Sequence, residues 1–305
     1  MPTSQYGIVL ALSTGFLWAW APIFWSSAGR RIGAMNVNRL RMLMSAVPAT
    51  IAAVAVALLN GEPLRPGLGP LKWLLMSGIL HMAVGDFFYY EAIVLLGPRR
   101  AIQALTVSPV AGVVVGWIWL NEALSAPVLA GVAMVLGGIT YLAWTEGRIQ
   151  NHDSREPGRM SAWGMLAAIV AGLCIGVAGV MTRYAYRLGP VDPLVAHSLR
   201  LIAGCAALWL FPLLTGGAVN VIRGLAQPKV PLLMTLGTLA GPLVGMFFFV
   251  AALKHAPAGL VATLSSTAPL FVLPIVAVRY RVRVSRSAIL ASLLTVGGIV
   301  LISSK

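Results

Sequence analysis

The sequence predicts an all-α polytopic membrane protein, with about ten transmembrane helices in two inverted five-helix repeats. Three observations lead there. Of 305 residues, 59% are hydrophobic and only 10% charged, whereas roughly a quarter of a soluble domain is charged. Gly, Pro and charged residues divide the apolar sequence into pieces of about 20 residues, the length that crosses a bilayer. Residues Gly85 to Ile139 recur without a gap 160 positions later, as Gly245 to Ile299.

The spans are read in order from this punctuation. The first, near 6–27, stops before Arg30-Arg31, and the second lies near 35–59. The third and fourth, near 71–96 and 99–120, part at Arg99-Arg100, and the fifth, near 125–144, stops before Arg148. The sixth, near 161–184, ends short of Arg187, and the seventh and eighth occupy 191–214 and 230–254. The ninth, near 257–279, runs into the basic stretch from Arg279 to Arg286, and the tenth is 285–303. Spans of this length lack the period-2 alternation of barrel strands, so helices are the reading.

The internal repeat rests on unlike residue types. Gly85, Phe87, Phe88, Ala92, Pro109, Ser125, Gly137 and Gly138 fall on Gly245, Phe247, Phe248, Ala252, Pro269, Ser285, Gly297 and Gly298. Apolar bias alone matches Leu with Val, not Pro with Pro. Upstream, Gly7 and Gly15 match Gly164 and Gly172 at a shift of 157, and Leu40-Arg41 match Leu199-Arg200 at 159. The copies are residues 1–148 and 160–305, joined by a polar linker at 149–159. A unit that crosses the bilayer an odd number of times leaves its successor starting on the opposite side, so the second copy is inverted.

Several classes are excluded. A formal charge of +14 invites a nucleic-acid reading, yet the basic residues cluster at helix ends, where they meet lipid phosphates, and no sizeable soluble domain is left to hold a nucleic acid. Cys174 and Cys205 lie within spans and form no disulfide framework. Met1 to Gln5 lack a basic leader, so the first apolar stretch reads as a retained span. The expected partners are the lipid bilayer and a small-molecule substrate, with a monomer as the working unit and no cofactor or metal.

Particular residues now support a resemblance. Trp18 with Pro22, Arg41, the run from Tyr90-Glu91-Ala92 to Pro109, Leu120 to Ser125 and Gly131 to Gly138 carry it in the first copy. Arg200, Ala251 to Leu253, Ala268 to Leu270 and Gly297-Gly298 carry it in the second. Over nearly its whole length the chain resembles the drug/metabolite transporter superfamily, of the ten-helix type with two EamA domains. One element departs: Glu122 matches the acidic residue often found after the family's fourth helix, but its counterpart is Val282. The resemblance implies a bacterial inner-membrane exporter with both termini in the cytoplasm. The loop charges disagree, since loops after odd-numbered spans hold more Lys and Arg and place the termini outside. The resemblance is preferred, because charge bias sets orientation only statistically.

Transport residues are expected to be polar, midspan and near the repeat interface. Gln103 and Thr106 share a helix face in span 4, and their counterparts are Thr263 and Ser266 in span 9. They read as pore lining or as hydrogen bonds between packed helices. Pro109 and Pro269 lie just beyond, as gating hinges or static bends. Span 3 carries His81, Asp86, Tyr89, Tyr90 and Glu91. On an α-helix, residues five apart point about 140° away from each other, so His81, Asp86 and Glu91 are not expected to face one site. His81 and Tyr90 are assigned to the cavity, and Asp86 to a substrate cation or to an ion pair with Arg41 or Arg200. Those two arginines stand within two turns of their span starts and are expected to snorkel to headgroups, the alternative being a substrate carboxylate. Trp20 with Phe248 is assigned as an apolar wall for a flat side chain.

The expected function is secondary transport, by alternating access, of small organic metabolites, with amino acids including aromatic ones favoured. Arginines near span ends and no midspan Lys or Arg cluster argue against phosphate-bearing substrates. Multidrug, nucleotide-sugar or sugar-phosphate transport is the alternative. No GxxxxGK[ST] motif appears, so any energy is expected from a gradient, with proton coupling, exchange and facilitated passage all open. An intramembrane enzyme built on His81, Asp86 or Glu91 lacks any HExxH or GxSxG signature, and a receptor or structural membrane protein lacks an extramembrane recognition domain.

Overall fold

A computed structural model describes residues 5–61, 66–96, 107–149, 162–268, 270–271 and 286–303. Every regular element among them is helical. The first copy contains α1 (Gln5–Ile32), α2 (Ala34–Asn60), α3 (Leu68–Gly78), α4 (Asp86–Leu96), α5 (Val107–Leu120) and α6 (Ala126–Ile149). The second contains α7 (Ala162–Leu188), α8 (Pro193–Leu214), α9 (Ala218–Arg223), α10 (Val230–Thr238), α11 (Val244–His255), α12 (Ala258–Ser265) and α13 (Arg286–Ser303). A π-helical segment, Ile79–Gly85, joins α3 to α4, and another, Leu239–Leu243, joins α10 to α11. Six of the resulting rods are long and apolar enough to cross a membrane: Gln5–Ile32, Ala34–Asn60, Leu68–Ile93, Ala162–Leu188, Pro193–Leu214 and Val230–His255. Shorter apolar helices include Val107–Leu120 and Ile289–Ile302. The linker beyond Ile149 lies outside the described residues.

Local chemistry sets the breaks. Gly33, at φ 84°, separates α1 from α2, and Gly61, at φ 67°, ends α2 in the left-handed region that lacks a steric penalty only for glycine. Asp192 opens α8, its carboxylate accepting from the backbone N–H groups of Leu194 at 2.8 Å and Val195 at 3.3 Å, with Pro193 next in sequence.

The packing repeats between the copies. α1 lies against α10 and α11, as α7 lies against α3 and α4; α1 also meets α12 of the ninth span, and α7 meets α5 of the fourth. α2 against α8 and α6 against α13 are pairs of equivalent helices, each its own counterpart under a two-fold relation, and α5 of the fourth span packs on α12 of the ninth. The two π segments begin 160 residues apart, at Ile79 and Leu239, so this irregularity too belongs to both copies. Small residues bring the backbones together, as in membrane helix pairs generally. A side chain on Gly131 would strike the Gly298 carbonyl and one on Gly298 the Gly131 carbonyl, which locks α6 to α13. Ala167, Ala168, Ala171 and Ala178 make a fully buried face on α7. Large apolar side chains such as Leu59, Ile118, Phe211 and Leu214 point outward, where hydrocarbon is the medium that accepts them.

Candidate functional site

The π segment in the third rod assembles the main polar cluster. The Asp86 N–H donates to the His81 carbonyl, five residues back, and this wider turn stacks residue 86 over residue 81. His81 and Asp86 therefore share a face, contrary to the α-helical spacing expected of them. Both are buried, at 6% and 5% exposure, near the middle of the Leu68–Ile93 span.

Each faces an arginine. Arg41 on α2 donates from Nη2 to Asp86 Oδ2 at 2.5 Å and from Nε to Asn38 Oδ1 at 2.8 Å. Its guanidinium carbon stands 4.5 Å from the Trp25 ring centroid and 5.9 Å from that of Tyr90, within cation–π range. Gly237 and Gly241 make room for this arrangement, because any side chain there would occupy the space of the Trp25 indole. Arg200 on α8 is fully buried, and its Nη2 lies 3.4 Å from His81 Nδ1. The expectation that both arginines snorkel to headgroups fails here. α8 packs along α3 and the π segment, and α2 packs along α8 and reaches α4, so a position two turns into either helix is already deep.

His81, Asp86 and Tyr90 are thus brought together around Arg41, and the other described candidates make contacts of their own. Thr263 is fully buried, with its hydroxyl donating to the Gly259 carbonyl at 2.8 Å, and Ser266 likewise donates to the Ala262 carbonyl at 2.8 Å. Both hydroxyls are bonded within their own helical turn. Trp20 is half-buried, and Phe248, also half-buried, meets Phe247 with ring centroids 5.8 Å apart. Trp18 rather than Trp20 supplies the aromatic contact to α11, stacking on Phe249 at 5.7 Å. Pro109 is buried as the third residue of α5. Gln103, Thr106 and Pro269 lie outside the described residues.

A second cluster joins the copies at one end of the bundle. After α5, Asn121 adopts φ 51° and Glu122 follows with its N–H bonded to the Gly116 carbonyl at 3.2 Å. This turn aims the carboxylate at the second copy. Glu122 Oε1 accepts from Arg183 Nε at 2.8 Å and Arg187 Nη2 at 2.6 Å, and Oε2 accepts from the Ala258 N–H at 3.1 Å. Arg183 Nη1 also donates to the carbonyls of Leu253 and Lys254, and Arg187 Nη1 to that of Leu120. The arginines satisfy carbonyls at the C-termini of α11 and α5, and Glu122 sits at the N-terminus of α12, both electrostatically favourable placements. Arg183 was not among the expected functional residues. Its signal was the four-residue spacing to Arg187, which puts both on one helix face.

This fold defines a class, a helical membrane protein of two pseudo-symmetric halves with a charged centre between them. The EamA-like transporter family matches residues 5–144 and 162–304, one match per copy, and the chain belongs to that family. A solved structure titled "Crystal structure of protein" is similar in fold, with a TM-score of 0.74 and 20% identity over 98% of this chain and 96% of that one. No curated protein matches the chain.

Proposed function

We propose that this protein is a secondary transporter that exports small organic metabolites, amino acids including aromatic ones among them, by alternating access between its two halves. The family is one of drug/metabolite-type transporters, and the observation that carries the mechanism is where the charges lie. His81, Asp86 and Arg41 of the first copy meet Arg200 of the second at the middle of the Leu68–Ile93 span. Charged groups inside a membrane bundle are costly and mark ligand pathways, and transporters place their sites between repeats near the midplane. In this reading His81 and Tyr90 border the substrate, Asp86 positions Arg41, and Gln103, Thr106, Thr263 and Ser266 line the route. The host membrane is a bacterial inner membrane, with both termini in the cytoplasm and a monomer as the working unit.

A second reading has an observation behind it. Two arginines buried beside the middle of the third span remove one objection to phosphate-bearing substrates, which favour clustered cations. A screen in proteoliposomes with amino acids, cationic drugs and nucleotide sugars, with and without a pH gradient, separates the readings. Counterflow of amino acids is expected; uptake of nucleotide sugars alone would overturn the amino-acid reading. Replacing Gln103 with Ala or Ser266 with Ala is expected to slow transport at least several-fold without reducing membrane insertion. Wild-type rates in both variants would remove these residues from the route.

A further inference from the structure

The two copies place an arginine at the same point of their second helix, and only one of the two has a counter-charge. Arg41 and Arg200 correspond at a shift of 159. Around Arg41 stand Asn38, Asp86, Trp25 and Tyr90. Their counterparts by the same internal registers, at shifts of 157 to 160, are His197, Met246, Thr182 and Val250. Every feature that neutralises or covers Arg41 is therefore replaced: the carboxylate by a thioether, the carboxamide by an imidazole, and the two rings by a small hydroxyl and an isopropyl group. Met246 and Val250 lie in the apolar core, and the Thr182 hydroxyl donates to the Ala178 carbonyl.

Arg200 is left fully buried, with no partner at Nε or Nη1. Its contact with His81 at 3.4 Å is long for a hydrogen bond. The Tyr186 hydroxyl is also buried without a partner, His197 faces the backbone of Pro242 and Leu243, and both residues lie within electrostatic range of Arg200. Arginine does not escape the cost by losing its proton, and a cation in a membrane interior pairs with an anion or a carbonyl or faces a watered cavity, where a bound anion stabilises it most. Asp86 is engaged by Arg41, so the described cluster carries one positive charge in excess.

We propose that the carboxylate of the transported substrate supplies that missing charge, closing on Arg200 beside His81. This rests on the transport reading above and narrows it to compounds bearing one carboxylate. A single unmatched cation suits a monoanion better than a phosphate dianion. The neighbouring seam is a close backbone contact: at Gly78 the third rod rests on the Arg200 backbone itself.

The test uses the full chain in nanodiscs, with thermal unfolding as readout. A panel of amino acids and other monocarboxylates is compared with the corresponding decarboxylated amines, with phosphate monoesters and with chloride. At least one carboxylate is expected to raise the melting temperature while its amine does not, and Arg200→Met is expected to abolish that shift. Arg200→Met itself is expected to melt no lower than wild type, because it removes an unmatched buried charge, whereas Arg41→Met melts lower because it strands Asp86. The proposal is overturned by equal shifts from acid and amine, by a response to phosphate monoesters or chloride alone, by no response to any carboxylate, or by an Arg200→Met variant that melts well below wild type. Counterflow in proteoliposomes separates the two levels. Wild-type protein that transports amines as fast as acids sinks the carboxylate proposal and leaves export standing, while Arg200-dependent binding without transport sinks export and leaves the site.

Discussion

Asp86 illustrates how one carboxylate shapes a membrane interior. It holds Arg41 at 2.5 Å with both side chains almost entirely covered, at 11% and 7% exposure. Removing one member of a buried pair costs about 3 kcal/mol or more, because the other charge is stranded, whereas replacing both by apolar groups is often neutral. Asp86→Asn is therefore expected to lower stability by about 3 kcal/mol, and Asp86→Leu with Arg41→Met to recover most of it. Thermal unfolding of the three proteins in one detergent checks this, and a double variant as weak as the single one would show that the pair acts through more than its charges. The sequence brought Asp86 and the two arginines into view as possible partners. It did not show which arginine is taken, because that depends on how α2 and α8 pack beside the third rod.

The third rod makes the case at the scale of an element. Read as an α-helix, His81 and Asp86 diverge by about 140°; as a π segment, they stack. Their joint face was therefore invisible to periodicity, which assumes one helical repeat throughout. A π bulge behaves as a one-residue insertion that leaves the flanking helix in register. Deleting Ala83 returns the segment to four-residue spacing, with the two side chains only about 40° apart, so the Arg41–Asp86 pair should survive. Inserting one alanine after Ala83 should separate them and destabilise the protein about as much as Asp86→Asn. Thermal unfolding of both variants is the measurement, and an insertion milder than the deletion would show that the π turn does not set this register. The matching segment at Leu239–Leu243 contains Pro242, which has no N–H to donate and so favours a break in the regular ladder. Ile79–Gly85 has no proline, which is why its irregularity was harder to foresee.

Across the whole molecule, the copies agree in packing and differ in charge. Glu122 of the first copy is bound by Arg183, Arg187 and the Ala258 N–H of the second, a tie between halves at one end of the bundle. Its register counterpart is Val282, and Ser26 stands where the second copy has Arg183, at a shift of 157, so the sequence cannot build the same tie from the equivalent positions. A double-mutant cycle of Glu122→Ala and Arg183→Ala is expected to show coupling of about 1 to 3 kcal/mol, as for other contacting residues in one network. Additive losses would mean that the two side chains stabilise their own halves independently.

The sequence by itself determined the helical membrane class, the duplication and the family, because these follow from apolar span length, residue-type register and composition, all of which are local or linear properties. It also marked Glu122 as unmatched in the second copy without revealing what it binds. Only the tertiary structure decided that His81 and Asp86 share a face, that Arg41 is neutralised while Arg200 is not, and that Glu122 reaches across to α7 and α12. Those outcomes depend on a local change of helical pitch and on contacts between residues 45 to 136 positions apart. Neither leaves a periodic trace in the chain.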